Sequence, residues 1–255
     1  MKQNAYAKVN IFLKITGHKE GYHTLLSRFM KVTHLYDTIE FVPCKCARFT
    51  LEGCGDIHLP SNTIYKAFIA LNNHTGDLDI LEYFYNHKVV VTKNIPSQAG
   101  LGGGSSDGAT FMRMVNEVCQ LGLDTPTLAK IGATIGADFP FFIYDYESAN
   151  VSGFGEVVEA FDERPLSFDI YTPPIGCDTS HVYRRFKNQL LPHIKPSSFV
   201  GWETTPSHQL LQNLSPTTAN DLYNAALIEY PKLKRYHQEG WFFSGSGSSF
   251  FRVVD

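Results

Sequence analysis

The glycine-rich segment at residues 96–108, Pro-Ser-Gln-Ala-Gly-Leu-Gly-Gly-Gly-Ser-Ser-Asp-Gly, constrains this chain more than any other feature. It follows a β-branched run at residues 87–93, in which Val89 and Val91 would share one face of a strand. It precedes residues 109–119, whose apolar positions recur with the period of a helix. A strand, a glycine loop and a helix N-terminus together present bare N–H groups and partial positive charge to phosphate. The sequence therefore predicts a phosphate-binding loop. Three residues are candidates to cap its helix: Ser105, Ser106 and Asp107.

Two better-known phosphate loops do not fit this segment. A Walker A loop has a lysine directly after its last glycine, whereas Ser105 follows Gly104 here. A dinucleotide-binding loop has an acidic residue about twenty positions further on at a strand end, whereas Asp124 lies beside Pro126 in a predicted loop. A flexible Gly/Ser linker stays open as the alternative. It is disfavoured because a linker has no reason to lie between a strand and an amphipathic helix.

Length and composition indicate an ordinary globular protein. With 255 residues, of which 43% are hydrophobic and 18% charged, the chain is expected to form one large or two small domains. A net charge of -3 gives no electrostatic reason to expect nucleic acid as a partner. Apolar runs stay well short of the length of about 18 residues that a membrane span needs, and neither spanning nor secretion is predicted.

The five cysteines form no compact framework, which suits a reducing compartment and predicts a cytoplasmic location. Cys44, Cys46, Cys54 and His58 are close enough in sequence to consider zinc, but their spacing matches no usual zinc knuckle. Buried free thiols are the favoured interpretation, and a zinc site stays open as the lesser one.

The rest of the pattern mixes strands and helices without strict alternation, which indicates an α+β fold. Further strands are predicted at residues 9–15, 37–41, 152–158, 168–172, 241–244 and 249–254. Helices are predicted at residues 62–72, capped by Ser61 or Asn62, from Thr125-Pro126 to about Gly136, at 219–229 and at 232–238. Residues 17–24 are predicted to be a loop, and residues 187–216 a substrate-side loop with short helices.

Four further segments join the glycine-rich loop in a recognisable order. They are Ala-Lys-Val-Asn-Ile-Phe-Leu at residues 7–13, Gly-Tyr-His-Thr-Leu at 21–25, Gly-Ala-Asp-Phe-Pro-Phe-Phe at 136–142 and Gly-Ser-Gly at 245–247. With them the chain resembles the small-molecule kinase superfamily of galactokinase, homoserine kinase, mevalonate kinase and phosphomevalonate kinase. Gly-Tyr-His and Gly-Ala-Asp-x-Pro resemble one branch, whose alcohol substrate is a cytidine diphosphate-linked methylerythritol of the non-mevalonate isoprenoid pathway.

The resemblance implies an ATP-dependent kinase that phosphorylates the 2-hydroxyl of that substrate, with Mg²⁺ expected alongside ATP and no protein ligand for it identified. It implies two α+β domains, residues 1–150 and 151–255, with the active site between them. No membrane partner is expected, and the resemblance leaves the oligomeric state open.

The resemblance also implies roles for individual residues. Asp138 would accept the hydroxyl proton or orient the hydroxyl, while Lys8 would keep that carboxylate ionised and neutralise the γ-phosphoryl group. The residues implied to bind ATP are Asn62, Lys93, Pro96, Gly100, Leu101, Gly102, Gly103, Gly104, Ser105, Ser106 and Asp107. The residues implied to bind the cytidyl substrate are Asn10, Tyr22, His23, Thr179, Tyr183, Gly245, Ser246 and Gly247.

The resemblance has departures and rivals. Ser180 and His181 stand where apolar or proline residues are more usual, and Gly108 stands where alanine is. Asp138 could instead be a cap or turn residue after Gly136. A homoserine or mevalonate type of kinase is the first rival function, which Tyr22-His23 disfavours because those substrates carry no base. A non-catalytic nucleotide-binding module is the second, which the presence of both catalytic residues disfavours.

Overall fold

The computed structural model describes residues 1–19, 21–55, 57–76, 78–193 and 196–254, and it confirms an α+β fold. The strands are β1 (Lys2–Lys19), β2 (Tyr22–Pro43), β3 (Leu51–Glu52), β4 (His87–Thr92), β5 (Ser148–Gly153), β6 (Val157–Ala160), β7 (Ser167–Tyr171), β8 (Phe242–Phe243) and β9 (Phe250–Val254). The α-helices are α1 (Thr63–Thr75), α2 (Leu78–Asn86), α3 (Gly103–Val118), α4 (Thr125–Ala133), α5 (Phe139–Tyr144), α6 (Thr179–Gln189), α7 (Ser207–Asn213), α8 (Pro216–Ala219) and α9 (Asp221–Glu229). Short 3₁₀ helices lie at Leu59–Ser61, Leu191–His193, Pro196–Phe199 and Pro231–Tyr236.

The chain divides into two compact units, and each is discontinuous in sequence. The first unit comprises Met1–Ala7, Thr33–Ile95 and Gly103–Asp145. The second unit comprises Lys8–Val32, Pro96–Gly102 and Tyr146–Asp255. Strands β1 and β2, which pair with each other, therefore contribute residues to both units. The division into domains at residue 150 stays a prediction.

The first unit packs helices around a short piece of sheet. Residues 38–43 of β2 pair antiparallel with β4, and β3 runs parallel to the other side of β4. Val89 and Val91 on β4 are both buried, as the alternation of that run predicts. The rings of Phe41, Phe84 and Phe111 lie 5.2–5.7 Å apart in the core. Helix α3 packs against α1 and α5, which places the start of α3 beside the start of α5.

The second unit is built on two sheets. Residues 25–30 of β2 pair antiparallel with β5, whose other side pairs with β6. A separate sheet has the order β7-β9-β8, all antiparallel. Helix α6 packs against α9, and the ring of Tyr223 on α9 lies 4.7 Å from that of Phe243 on β8. This packing fixes the turn between β8 and β9, which carries Gly-Ser-Gly.

Side-chain caps set several helix boundaries. Asn62, and not Ser61, caps α1, since its side chain accepts a hydrogen bond from the N–H of Ile64. Asp124 caps α4, so Thr125 and Pro126 lie one position further into the helix than the sequence predicts. The helix α3 begins at Gly103, so Ser105, Ser106 and Asp107 lie in its first turns and none of them is the cap.

Other predicted elements differ in extent. The predicted loop at residues 17–24 is shorter than expected, because β1 continues to Lys19 and β2 begins at Tyr22, while residue 20 lies outside the described residues. The predicted strand at residues 152–158 is two strands, β5 and β6, which meet at Gly153–Glu156 as a tight antiparallel connection. The predicted helix at residues 232–238 is a 3₁₀ helix, and a helix that the sequence did not predict, α2, precedes β4.

The cysteines differ from the prediction as well. A disulfide joins Cys44 and Cys46, which follow β2 with their Cα atoms 5.6 Å apart, so these two are not free thiols. Cys54 is a free thiol but only half-buried, and Cys177 is a buried thiol whose pKa is raised by burial to about 12. Within the described ranges, no group of three or more His, Cys, Asp or Glu side chains could hold a metal ion.

No helix in the described part of the chain has the length and apolar character needed to cross a bilayer.

Candidate active site

The glycine-rich segment turns sharply before α3 begins. Gly100 has φ +73°, and a Cβ at this position would lie 2.1 Å from the carbonyl oxygen of Ser244. Only glycine accepts both that backbone conformation and that close approach. Leu101 is buried, Pro96 is exposed, and Gly102 also has a positive φ of 74°. The loop is therefore anchored by one apolar side chain and by its backbone.

The first turns of α3 are held by two side-chain bonds to the backbone. The hydroxyl of Thr63, at the start of α1, donates to the carbonyl of Gly104 at 2.6 Å. The hydroxyl of Ser106 donates to the carbonyl of Tyr6 at 2.7 Å, so this serine is buried. Gly104 is exposed, and Gly103 and Ser105 are half-buried. These contacts hold the first turn of α3 in place while Gly104 stays exposed.

Lys93 and two carboxylates form a cluster beside this helix. Its ammonium contacts Asp37 and lies 2.7 Å from Oδ2 of Asp107. Asp37 also accepts the backbone N–H groups of Asn94 and Ile95, at 2.5 and 2.8 Å. Burial raises the pKa of Asp107 to about 7 against the opposing charge of Lys93, and its Oδ1 is buried without a hydrogen-bond partner in the described residues. The positive charge of Lys93 is therefore already balanced before any ligand binds.

Asp138 lies directly before α5, where the Gly-Ala-Asp turn meets the helix. It is half-buried in a turn at the N-cap position of α5, its backbone is helical, and its side chain makes no capping bond to that helix. The N–H of Phe139 instead bonds the carbonyl of Gly136 at 3.2 Å. A Cβ on Gly136 would lie 3.8 Å from the hydroxyl of Ser105, so the Asp138 turn adjoins the first turn of α3 within the first unit.

Lys8 belongs to the second unit, where it is buried with only 3% of its surface exposed. Its ammonium donates to Oδ1 of Asn10 at 2.7 Å and to the carbonyl of Gly100 at 3.1 Å, over the ring of Phe29. The exposed-strand interpretation of Lys8 is therefore wrong. A buried ammonium needs polar partners, and these two oxygens supply two of them.

Ser27 orients Asn10. The amide Nδ2 of Asn10 donates to the Ser27 hydroxyl at 3.0 Å, and that hydroxyl donates to the carbonyl of Phe12 at 2.5 Å. Because Nδ2 is committed to Ser27, Oδ1 of Asn10 must point at Lys8.

The Gly-Ser-Gly turn lies against the same loop. The hydroxyl of Ser244 donates to the carbonyl of Gly100 at 2.9 Å, and a Cβ on Gly245 would lie 3.3 Å from Oδ1 of Asn10. Ser246 exchanges a hydrogen bond of 2.8 Å with Thr179 at the start of α6, and Gly247 closes the turn with a φ of +89°. The structure thus brings Lys8, Asn10, Thr179 and the turn 245–247 together in the second unit.

His23 lies in a cluster of aromatic rings at the start of β2. Its ring centroid is 5.1 Å from that of His18, 5.4 Å from Tyr183 and 5.8 Å from Phe186. Burial lowers the pKa of His23, and the charges of His18 and Lys187 lower it further, so the imidazole is neutral near pH 7. Its Nε2 is buried and has no hydrogen-bond partner in the described part of the chain.

Tyr22 extends from the same strand end with 70% of its surface exposed, 6.0 Å from the ring of Phe154. The rings of Tyr22 and His23 therefore have different aromatic neighbours, as the alternation of side chains along a strand predicts.

Sequence reasoning missed several residues of these clusters. Asp37 could have been noticed as an acidic residue opening an apolar strand, because a buried carboxylate needs a partner. Ser27, His18, Phe154 and Asn220 gave no such signal, since their roles depend on residues far away in sequence.

Comparison with known proteins defines the class first. Residues 62–146 match the family model of the GHMP kinases N terminal domain. The structure superposes on that of phosphomevalonate kinase from Streptococcus pneumoniae with a TM-score of 0.64 at 10% identity, covering 100% of this chain and 91% of that one, which shows the fold. The chain has the fold and the glycine-rich loop of a GHMP kinase.

Closer relatives define the family. The chain is 58% identical over 253 residues to the 4-diphosphocytidyl-2-C-methyl-D-erythritol kinase of Sulfurovum sp., covering 99% of this chain and 98% of that protein. It is also similar to a crystal structure of 4-(cytidine 5'-diphospho)-2C-methyl-D-erythritol kinase, with a TM-score of 0.75, 27% identity and coverage of 100% and 90%. The chain belongs to the 4-diphosphocytidyl-2-C-methyl-D-erythritol kinase family.

Proposed function

We propose that this chain transfers the γ-phosphoryl group of ATP to the 2-hydroxyl of 4-diphosphocytidyl-2-C-methyl-D-erythritol, in the non-mevalonate isoprenoid pathway. Relatives of that name match it over almost its full length. The observation that carries the proposal in this chain is His23. The imidazole of His23 is neutral near pH 7, and its buried Nε2 has no hydrogen-bond partner among the described residues. It lies among aromatic side chains, as expected of a group that hydrogen-bonds to the edge of cytosine.

Lys8 and Asp138 are the proposed catalytic residues. Phosphoryl transfer has a loose transition state, so it needs positioned reactants and charge neutralisation more than covalent chemistry. The carboxylate of Asp138 would accept the proton of the substrate hydroxyl or orient that hydroxyl for in-line attack. The ammonium of Lys8, held by Asn10 and Gly100, would balance the negative charge of the phosphoryl group as it moves.

The glycine-rich segment and the start of α3 are proposed to bind the ATP phosphates. The backbone from Gly100 to Gly104 would supply N–H donors, with Ser105 and Ser106 in the first turn of α3. Asn62, Lys93, Pro96 and Asp107 are proposed to lie around the nucleotide. Because two carboxylates already balance Lys93, we propose that it orders the loop and does not serve as the main phosphate counter-charge.

Mg²⁺ is proposed to enter with ATP. Mg²⁺ is usually held by substrate phosphates and one or two protein oxygens. The carboxylate of Asp107, whose Oδ1 is buried without a partner in the described residues, fits such a protein ligand. When bound, the ion would neutralise charge on the transferring phosphates.

The second unit is proposed to bind the cytidyl substrate. Tyr22 and Tyr183 would stack on cytosine, while His23 reads its polar edge. Asn10, Thr179 and the turn Gly245, Ser246 and Gly247 would contact the remainder of the molecule. A homoserine or mevalonate type of activity is the alternative, but those substrates leave the aromatic cluster at Tyr22 and His23 without a ligand.

Base recognition tests the proposal. We expect Tyr22→Ala to raise the KM for the cytidyl substrate by about ten- to a hundred-fold, since each aromatic stack contributes roughly 1–3 kcal/mol. Tyr22→Phe should keep most of the affinity because stacking uses the ring face. The measurement is steady-state phosphorylation with saturating ATP, and the KM for ATP is the internal control.

The substrate itself decides between the two kinase activities. The wild-type chain should phosphorylate the cytidyl substrate and leave homoserine, mevalonate and free 2-C-methylerythritol phosphate almost unreacted. Efficient phosphorylation of the base-less methylerythritol phosphate would show that no cytidine pocket exists and would overturn the proposal.

A further inference from the structure

Asn220 is a buried asparagine between α8 and α9, with 1% of its surface exposed. Its amide Nδ2 donates to the carbonyls of Phe243 at 2.9 Å and Gly245 at 2.8 Å. Its Oδ1 accepts from the N–H of Leu222 at 2.9 Å and so caps α9. Both amide hydrogens are committed to two carbonyls only two residues apart in sequence.

The two carbonyls belong to the residues before and after Ser244, so the amide holds the backbone on both sides of this residue. Ser244 is the residue whose hydroxyl donates to the carbonyl of Gly100 at 2.9 Å. Its carbonyl accepts the N–H of Gly247 at 2.9 Å and closes the Gly-Ser-Gly turn. The position of Asn220 therefore determines where the Ser244 hydroxyl meets the glycine-rich loop.

The carbonyl of Gly100 holds the ammonium of Lys8 as well, at 3.1 Å. One backbone oxygen thus receives two donors, the hydroxyl of Ser244 and the ammonium of Lys8, which share its two lone pairs. The backbone of Asn220 also forms a parallel bridge to Leu13 on β1, the strand that carries Lys8 and Asn10. Asn220 is consequently joined to Lys8 from two sides within the second unit.

We infer that Asn220 is a positioning residue for Lys8, acting through Ser244 and the carbonyl of Gly100. The inference rests on the proposed function, in which Lys8 balances the charge of the moving phosphoryl group. An asparagine is needed there because a carboxylate would face two carbonyl dipoles, and an apolar side chain would leave both carbonyls buried without a donor. We expect a substitution of Asn220 to affect the chemical step and not ligand binding. In the contacts described, Asn220 touches neither the start of α3 nor the aromatic cluster.

Two variants separate the amide donors from the helix cap. Asn220→Ser and Asn220→Asp each keep an oxygen that can cap α9, and each loses both donors. We expect kcat to fall by about ten- to a hundred-fold from the loss of two buried hydrogen bonds, with the KM for ATP changed by less than about three-fold. Asn116→Ser is the matched control, since Asn116 also bonds a carbonyl and an N–H, both of Leu123, away from the proposed site. It should keep the wild-type kcat.

A second readout follows Lys8 directly and does not require turnover. Acetylation of Lys8 by a water-soluble acetylating reagent, measured by mass spectrometry, should be severalfold faster in Asn220→Ser than in wild type. Acetylation of Lys93, in the other unit, should be unchanged. Circular dichroism at the assay temperature verifies that each variant is folded.

The outcomes are distinguishable. Wild-type kcat and Lys8 labelling in both Asn220 variants would overturn the inference, and so would a fall in kcat with Lys8 labelling unchanged. A fall in kcat that only follows the folded fraction would assign Asn220 a structural role. If wild-type enzyme fails to phosphorylate the cytidyl substrate, the proposed function fails, and Lys8 labelling still decides whether Asn220 positions Lys8.

Discussion

His23 shows how single residues acquire a function from their surroundings. The sequence predicts its role from the Gly-Tyr-His motif, but its ionisation depends on neighbours that the sequence does not place beside it. His18 lies 5.1 Å from it between ring centroids, and Lys187 adds a second positive charge. Burial lowers the pKa of His23 most, and these two neighbours lower it further, which favours the neutral imidazole.

This arrangement predicts the pH dependence of substrate binding. The pKa of His23 in the folded protein is lowered from 6.5, so the imidazole is neutral at neutral pH. If binding of the cytidyl group requires the neutral imidazole, the affinity is retained at neutral pH. It weakens only when the pH falls through the lowered pKa. His18→Gln removes a positive neighbour, so the pKa of His23 rises and binding is lost at a higher pH. The measurement is the Kd for cytidine diphosphate by calorimetry between pH 5 and about 8, the range in which histidines titrate.

Lys187→Met gives a graded comparison for this prediction. It should move the loss of binding in the same direction by a smaller amount, because its charge contributes less than that of His18. Binding of ATP serves as the control and should show the same pH dependence in all three proteins. A loss of binding at lower pH in His18→Gln would contradict the assignment of His23.

At the level of elements, the start of α3 was the least predictable boundary. The apolar period begins at residue 109, but the helix begins at Gly103. Gly, Ser and Asp have low helix propensity, so no local pattern reports a helix in residues 103–108. Contacts distant in sequence impose it there, namely the bonds of Thr63 to Gly104 and of Ser106 to Tyr6.

Gly108 and Phe139 are coupled across the packing of α3 against α5. A Cβ on Gly108 would lie 2.5 Å from Cζ and 2.7 Å from Cε1 of the buried Phe139 ring. Alanine is more usual at position 108 in the family that the sequence resembles, and the phenylalanine here accounts for the glycine. We expect Gly108→Ala to destabilise the protein by about 1 kcal/mol, because overpacking of roughly 1–3 kcal/mol outweighs the gain in helix propensity.

The double variant tests this coupling. Phe139→Val alone should leave a cavity and destabilise, whereas Gly108→Ala with Phe139→Val should be more stable than the two single effects predict, by about 1 kcal/mol or more. Thermal unfolding of the four proteins measures the cycle. If the two substitutions changed the free energy of unfolding additively, the close contact between position 108 and the Phe139 ring would be relieved without a cost in stability.

At the scale of the whole molecule, ligand binding should appear as stability. A non-hydrolysable ATP analogue at about 100 times its Kd stabilises a folded protein by roughly 2.7 kcal/mol, which is about 5–10 °C in Tm for a chain of this size. Asp138→Asn should keep this shift and lower kcat by about two to four orders of magnitude, the range for losing a general base. Scanning calorimetry and the kinase assay supply the two measurements.

Glu159→Gln is the control for that experiment, since it neutralises an exposed carboxylate on β6 and should retain both the Tm shift and turnover. If Asp138→Asn lost the Tm shift, Asp138 would be needed for nucleotide binding or for the fold, and its catalytic role would have to be abandoned. The cytoplasmic location and the lack of a nucleic-acid partner stay predictions at this scale.

The sequence by itself determined the features that depend on local chemistry. The alternation around Val89 and Val91 and the capping preference of Asn62 act over a few residues, so β4 and α1 were predictable. The five motifs in order were enough for the family and for most of the proposed site. These signals survive in the sequence because each depends on backbone conformation or on side chains that are close neighbours in the chain.

Only the tertiary structure decided which distant segments share a compact unit. Lys8–Val32 belongs to one unit with Pro96–Gly102 and Tyr146–Asp255, although more than a hundred residues separate the first and last of these segments. The same folding buries Lys8 against Gly100, joins Lys93 to Asp37 and Asp107, and places Asn220 under Ser244. Such contacts depend on hydrogen bonds and burial between residues separated by tens to hundreds of positions, and no periodicity or spacing in the sequence records them.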